Sequence, residues 1–258
     1  MACGHRPPVR RAPNRTAAPQ GATPHRTAPH RTAPHRTASH RGVPLMTGSA
    51  ARYLYLARHG EATPDESELT ERGRRQAVLL GERLRGTPLA EVTHGPLPRA
   101  EQTARLVHTQ VTQGAQGKGV ALTSCDAAGD YLPHVPARAE LPPDAADTVL
   151  DRLSAFPAPE RERGPGLARA ALDRFTGPVR GDEPRHELVV THNFLIGWLV
   201  RAALDAPPWR WIGLNHTNAG LTVIRYAPDR PASLLLYNDT GHLPPELRWT
   251  GMPPELHV

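Results

Sequence analysis

Tyr53-Leu54-Tyr55-Leu56-Ala57-Arg58-His59-Gly60-Glu61 changes character at its sixth residue. The first five residues are apolar or aromatic, the composition of a short buried strand, and Gly60 bounds it. An arginine and a histidine therefore stand together where a strand ends. In an open α/β sheet, that end faces the ligand crevice. Histidine serves as nucleophile, base or acid near neutral pH, and arginine presents a rigid fork of donors suited to phosphate. Alone, the triplet Arg58-His59-Gly60 is a weak signal that more often marks a strand-end loop with a solvated arginine and a capping histidine.

Downstream, Thr70 is placed to cap a helix in which Ala77, Leu80, Gly81 and Leu84 recur at helical spacing, with Arg and Glu between them. That pattern suits an amphipathic helix lying on a sheet. Val92 and Thr93 read as a short strand, and Pro98 fits the first turn of a helix running to about Val111. Gln113 to Gly119 reads as a loop and Val120 to Thr123 as a third strand. Residues 125–143 are irregular, with Pro133, Pro136, Pro142 and Pro143. Helices are expected near 144–155 and 164–176, separated by Pro157 and Pro159. Leu188-Val189-Val190 has the unbroken apolar character of a central strand covered on both faces, and a helix follows over Asn193 to Leu204. Ala219 to Tyr226 and Ala232 to Tyr237 suggest a hairpin about Pro228-Asp229. The Pro-rich segment after Asp239 yields no element. The alternation implies a three-layer α/β/α sandwich.

The first 45 residues are different material. They hold eight Arg, eight Pro, five His and no acid, and repeat a His-Arg-Thr-Ala-Pro unit from His25. With almost no large apolar residues, such a segment is expected to be disordered. Its arginines contribute +8, so the remainder from Met46 carries −2 of the chain's net +6. The basic character belongs to the tail, which argues against a nucleic-acid-binding domain. A basic arm, a transit peptide, or untranslated sequence with Met46 as the start all fit the tail, and the third is preferred because Met46 lies seven residues before the first strand. The 213 residues from Met46 suffice for one α/β domain. No apolar run reaches membrane length, and a single domain cysteine, Cys125, allows no disulfide framework there, which fits a reducing cytoplasm.

Two further segments add weight to the first: Pro96-Leu97-Pro98-Arg99-Ala100-Glu101-Gln102-Thr103-Ala104 and Leu188-Val189-Val190-Thr191-His192-Asn193. In this order the three resemble the histidine phosphatase superfamily, with its phosphoglycerate-mutase-like fold, over about residues 52–243. The resemblance implies His59 as a nucleophile that becomes a phosphohistidine, Arg58 and Arg99 as phosphate-binding arginines, and His192 as a second histidine on the transferring phosphoryl oxygens. Flanking cations would keep His59 unprotonated, and its other ring nitrogen would donate to a backbone carbonyl. Thr63 is a candidate for a further hydroxyl in the phosphate pocket, with loop capping as the competing role. Glu61 reads as a salt-bridge partner, and His94, His134 and His216 as surface or loop histidines.

The general acid is where the sequence departs from the pattern. Relatives usually carry a Glu after strand three, whereas Ser124 to Pro133 offers only Asp126 and Asp130. Alignment of Pro133 and Pro136 points to Asp130, with Asp126 as fallback; either is one methylene shorter than Glu. The resemblance thus implies a cytoplasmic phosphomonoesterase that needs no metal or cofactor and acts on a small phosphorylated metabolite. The Asn-Glu-Arg-His segment and longer insertion of glycolytic mutases are missing, which disfavours a mutase. A phosphate-binding pseudo-phosphatase that lacks an effective acid is the alternative from another class.

Overall fold

The computed structural model describes residues 48–114 and 119–257. The basic segment 1–45, the boundary at Met46 and the middle of the Gln113–Gly119 loop lie outside the described residues. Strands are β1 (Ser49–Ala50), β2 (Arg52–Arg58), β3 (Leu89–His94), β4 (Ala121–Ser124), β5 (Val179–Arg180), β6 (Arg185–Thr191), β7 (Leu221–Ala227) and β8 (Arg230–Asp239). Helices are α1 (Glu71–Leu84), α2 (Pro98–Gly114), α3 (Pro143–Ser154), α4 (Ala158–Phe175) and α5 (Asn193–Ala203). Six strands form one sheet in the order β4-β3-β6-β2-β7-β8, parallel from β4 to β2 and antiparallel from β2 to β8. The short strands β1 and β5 pair separately.

Side-chain alternation along the strands builds two cores. Leu54 and Leu56 of β2 and Val189 of β6 face α4 and α5, packing with Leu195, Leu199, Ala171 and Phe175. Ala57 of β2 and Leu188 and Val190 of β6 face the other way, onto Leu80, Leu84, Ala104 and Val107 of α1 and α2. The result is a mixed sheet between two helical layers, as the alternation of elements implies. β6 lies between β2 and β3 and is buried from Glu187 to Thr191, which explains the apolar run Leu188-Val189-Val190 within it.

Thr70 caps α1, its hydroxyl accepting from the Gly73 amide at 3.0 Å. The hairpin turns between Ala227 and Arg230. One boundary differs from expectation: α4 begins at Ala158, before Pro159, instead of near 164. Pro159 sits in the first turn, where a missing N–H costs nothing. Pro165 lies inside the helix, which nevertheless continues because Gly164, Ala168, Ala171 and Phe175 form its buried face. The segment after Asp239 folds into turns and short 3-10 helices at Pro245–Leu247 and Pro254–Leu256, with Leu243 and Leu247 buried in the α1–α2 core. Among the described residues, no helix is long and apolar enough to cross a membrane.

Candidate active site

The register of β2 against β6 pairs Arg58 with Thr191, so His59 and His192 leave neighbouring parallel strands side by side. Their rings lie 5.0 Å apart. Both side chains are almost fully buried. His59 is fixed by its backbone: its N–H donates to the Thr191 carbonyl, and its carbonyl accepts from the Asn218 side-chain amide at 3.0 Å. Gly60 is required because the first turn of α1 presses on it. A Cβ there would stand 2.5 Å from the Gly73 carbonyl oxygen. The Gly60 N–H donates to Thr103 Oγ1 at 2.9 Å, and Thr103 donates in turn to the Arg99 carbonyl.

The His59 ring has a defined polarity. Nδ1 lies 2.7 Å from the Gly60 carbonyl, an acceptor only, so Nδ1 carries the proton. Nε2 is left with its lone pair, which accepts from Arg99 Nε at 3.2 Å. Burial, then the neighbouring His192 and Arg58, hold the His59 pKa well below the usual histidine value, so the ring is neutral near pH 7. His192 is lowered to about 3 by burial and then by Arg99 and Arg58. Neither ring nitrogen of His192 has a hydrogen-bond partner. The same is true of His216, so what sets His192 apart is its place beside His59 on the wall of a cleft.

The cations surround these rings. Arg99, on the first turn of α2, is buried, with Nη2 2.9 Å from Asp130 Oδ2 and Nη1 3.1 Å from Glu66 Oε2. Arg58 donates through Nη1 to the carbonyls of His216 and Gly251, each at 2.7 Å. Asp130 Oδ2 lies 3.5 Å from His192 Nδ1. The Asp130 side chain keeps about a third of its surface open at the cleft mouth, yet protein mass around it raises its pKa; Arg99 and Arg58 oppose that rise without cancelling it. Asp126 is exposed on the short helix Asp126–Ala128 and reaches none of these groups.

A cleft of about 670 Å³ opens over Arg58, His59, Arg99, Asp130 and His192. A second, of about 560 Å³, adjoins it at Arg58, His59, Glu66 and Gly251. Thr63 lines that second cleft, but its hydroxyl donates to the Asp65 carboxylate and the Glu68 carbonyl. Glu61 faces Arg72 at 3.5 Å. Among the described residues, no group of three or more His, Cys, Asp or Glu side chains converges as metal ligands.

Residues 54–240 match the family model of the histidine phosphatase superfamily, branch 1. The chain belongs to the histidine phosphatase superfamily. Curated relatives include the mitochondrial serine/threonine-protein phosphatase Pgam5 of Drosophila willistoni, 27% identical over 206 residues, covering 76% of this chain and 65% of the relative. The Pgam5 of Caenorhabditis briggsae is 28% identical over 204 residues, covering 76% and 66%. The chain therefore spans about two thirds of the length of these relatives. Among solved structures, Bacillus stearothermophilus YhfR superposes with a TM-score of 0.52 at 23% identity, covering 74% of this chain and 98% of that one. The putative α-ribazole-5′-P phosphatase of Escherichia coli gives 0.51 at 19%, covering 73% and 97%. These two likenesses concern the fold.

In this member of the superfamily, the structure brings together Arg58, His59, Arg99, Asp130 and His192, which the sequence scatters over 135 positions. It also corrects the reading of His94, which ends β3 and is buried. His216 does lie in a loop, before β7, and is buried there. His94 bonds the Gly95 carbonyl, and His216 lies behind Arg58 with its pKa lowered to about 3, first by burial and then by Arg58. Sequence reasoning missed the supports of the site. Thr103 lies one helical turn after Arg99, a spacing that pointed to it. Gln76 accepts from the Glu61 amide and donates to Leu247 O and Thr250 Oγ1. That bridge joins three distant segments and leaves no local signal.

Proposed function

We propose that this protein is a phosphomonoesterase that hydrolyses small phosphorylated metabolites in the cytoplasm, through a phosphohistidine on His59 and without a metal. The observation that carries this reading is the 2.7 Å contact from His59 Nδ1 to the Gly60 carbonyl, which leaves the Nε2 lone pair among Arg58, Arg99 and His192. A phosphoryl group entering there meets a neutral nucleophile and a cage of donors for its equatorial oxygens. Arg99 Nε would turn from Nε2 to the phosphoryl oxygens, and the two unpartnered nitrogens of His192 give that residue a donor to offer.

In the first step, Nε2 attacks phosphorus and the ester P–O bond breaks. The leaving alkoxide takes the proton of the Asp130 carboxyl, whose raised pKa suits an acid. In the second step, water attacks phosphorus and gives its proton to the Asp130 carboxylate. The P–N bond breaks, and His59 returns to its neutral form with phosphate released. Arg58 and Arg99 hold the transferring group in both steps.

The test is hydrolysis of p-nitrophenyl phosphate in EDTA by the wild type and by His59→Ala, followed by a screen of phosphorylated metabolites and a phosphoserine peptide. Turnover in the first protein and none in the second supports the reading. Inactivity of both with retained phosphate binding favours the pseudo-phosphatase. Transfer to a second alcohol in place of water favours a mutase-type phosphotransferase. Preference for the peptide would replace the metabolite with a protein substrate.

A further inference from the structure

Beyond the phosphate cage, the cleft over His59 runs along the first turn of α5. Phe156, Asn193 and Phe194 line both this cleft and a neighbouring cavity of about 230 Å³. Val149 and Leu153 of α3, Phe156 and Phe194, and Trp211 with Ile212 wall that cavity. The aromatic rings meet edge to face: Phe156 and Phe194 at 6.0 Å, Phe194 and Trp211 at 4.9 Å. Val149, Phe156, Phe194 and Ile212 are only half-buried, so the pocket holds apolar surface that water covers in the free protein.

Two of the polar side chains of this pocket, Asn193 and Trp211, are already engaged. Asn193 Oδ1 accepts from the His216 amide at 2.7 Å, and its Nδ2 faces Asn215 Oδ1 at 3.4 Å. The indole N–H of Trp211 donates to the His134 carbonyl at 3.0 Å, away from the cavity. Arg152 stands exposed at the rim. Sugar hydroxyls entering here would lose water and find few free partners, a costly exchange. A hydrocarbon group would cover apolar surface and meet aromatic edges. An apolar cavity of about 150 Å³ accommodates benzene, so this one has room for a single ring with a short chain.

We infer that this pocket binds the alcohol portion of the substrate, and that the preferred substrates are phosphomonoesters whose alcohol carries an aryl or branched-alkyl group of about one ring's size. This rests on the phosphatase reading for the position of the phosphate, and it narrows the substrate class.

The experiment compares ethyl phosphate with ω-phenylalkyl phosphates of one to four methylenes, whose alcohols leave with similar difficulty. The best phenylalkyl ester should exceed ethyl phosphate in kcat/KM by about tenfold or more. Ile212→Asp should shrink that ratio several-fold, and Ile212→Val should preserve it. Should Ile212→Asp fail to fold, Val149→Asp on the opposite wall takes its place. A wild-type ratio near one, or a ratio indifferent to both aspartates, overturns the inference. Calorimetry with ethyl and phenylalkyl phosphonates separates it from catalysis. Tighter, Ile212-dependent binding of the phenylalkyl phosphonate supports the pocket even if no ester is hydrolysed, and equal affinities overturn it.

Discussion

Gly251 and Gly177 share nearly the same left-handed backbone, with φ of +74° and +76°. Alanine at either position bears about 1–2 kcal/mol of conformational strain. Their surroundings differ. At Gly177 a Cβ would have nothing within 4 Å, whereas at Gly251 it would stand 2.6 Å from Arg58 Nη1 and 2.9 Å from its Cζ, and overlap the Asn218 side chain. Gly251→Ala must therefore push the C-terminal segment away from Arg58 and break the 2.7 Å bond from Nη1 to the Gly251 carbonyl. A hydrogen bond to a charged group contributes about 1.5–3 kcal/mol. The guanidinium keeps only its bond to the His216 carbonyl and shifts within the proposed phosphate cage, so kcat/KM should fall about 10- to 100-fold. Gly177→Ala should leave kcat/KM within about twofold of wild type, because it carries the strain alone. Melting temperatures should fall in both variants, by about 2–8 °C for Gly177→Ala and further for Gly251→Ala. Steady-state hydrolysis of p-nitrophenyl phosphate and thermal melts measure both effects. Equal kcat/KM in the two variants would refute the claim that Gly251 positions Arg58.

Asp130→Asn should slow alkyl phosphates by about 10²- to 10⁴-fold while affecting p-nitrophenyl phosphate far less, since that phenolate leaves without a proton; equal losses on both would remove Asp130 as the acid. Glu66, largely exposed, pairs with Arg99 Nη1 at 3.1 Å and, in the proposed cycle, would compete with substrate for it. Glu66→Gln should lower KM by about two- to five-fold with kcat unchanged, the scale of an exposed ion pair; a higher KM would make Glu66 a positioning group for Arg99 instead. His59, His192 and His216 are all held neutral by burial. Each takes a proton only on unfolding, so stability is fully present above about pH 6.5 and declines as pH falls below it, for His192 and His216 down to their folded values of about 3. The slope should approach about 1.4 kcal/mol per pH unit for each histidine; urea midpoints that stay flat from pH 7 to pH 5 would contradict this.

The elements legible in the sequence are those whose cause is local. β2 and β6 announce themselves through apolar runs ended by Arg58-His59 and Thr191-His192, and α1 through Thr70 and the spacing of Ala77, Leu80 and Leu84. The early start of α4 was hidden because Pro159 reads as a breaker until its place in the first turn is known. The C-terminal segment was illegible for a different reason. Its place depends on two isolated core leucines, Leu243 and Leu247, and on long-range bonds from Arg58 to Gly251 and from Gln76 to Leu247 and Thr250, and no periodicity encodes such contacts. His216 does lie in a loop, but its burial was not legible because its neighbours Arg58 and Tyr237 are remote in sequence. For the proposed acid, sequence left Asp126 and Asp130 open; of the two, Asp130 is the one that lies beside Arg99 and His192, and the Asp130→Asn comparison tests the role.

Everything in the proposed cycle depends on His59 Nε2 accepting the phosphoryl group. The step is read most directly by mixing the enzyme with p-nitrophenyl phosphate, quenching in alkali where phosphohistidine survives, and locating the added phosphate by peptide mass spectrometry. One acid-labile phosphoryl group is expected on the peptide containing His59, absent from His59→Ala. A phosphoryl group on another residue, or undiminished turnover by His59→Ala, would show that His59 is not the nucleophile.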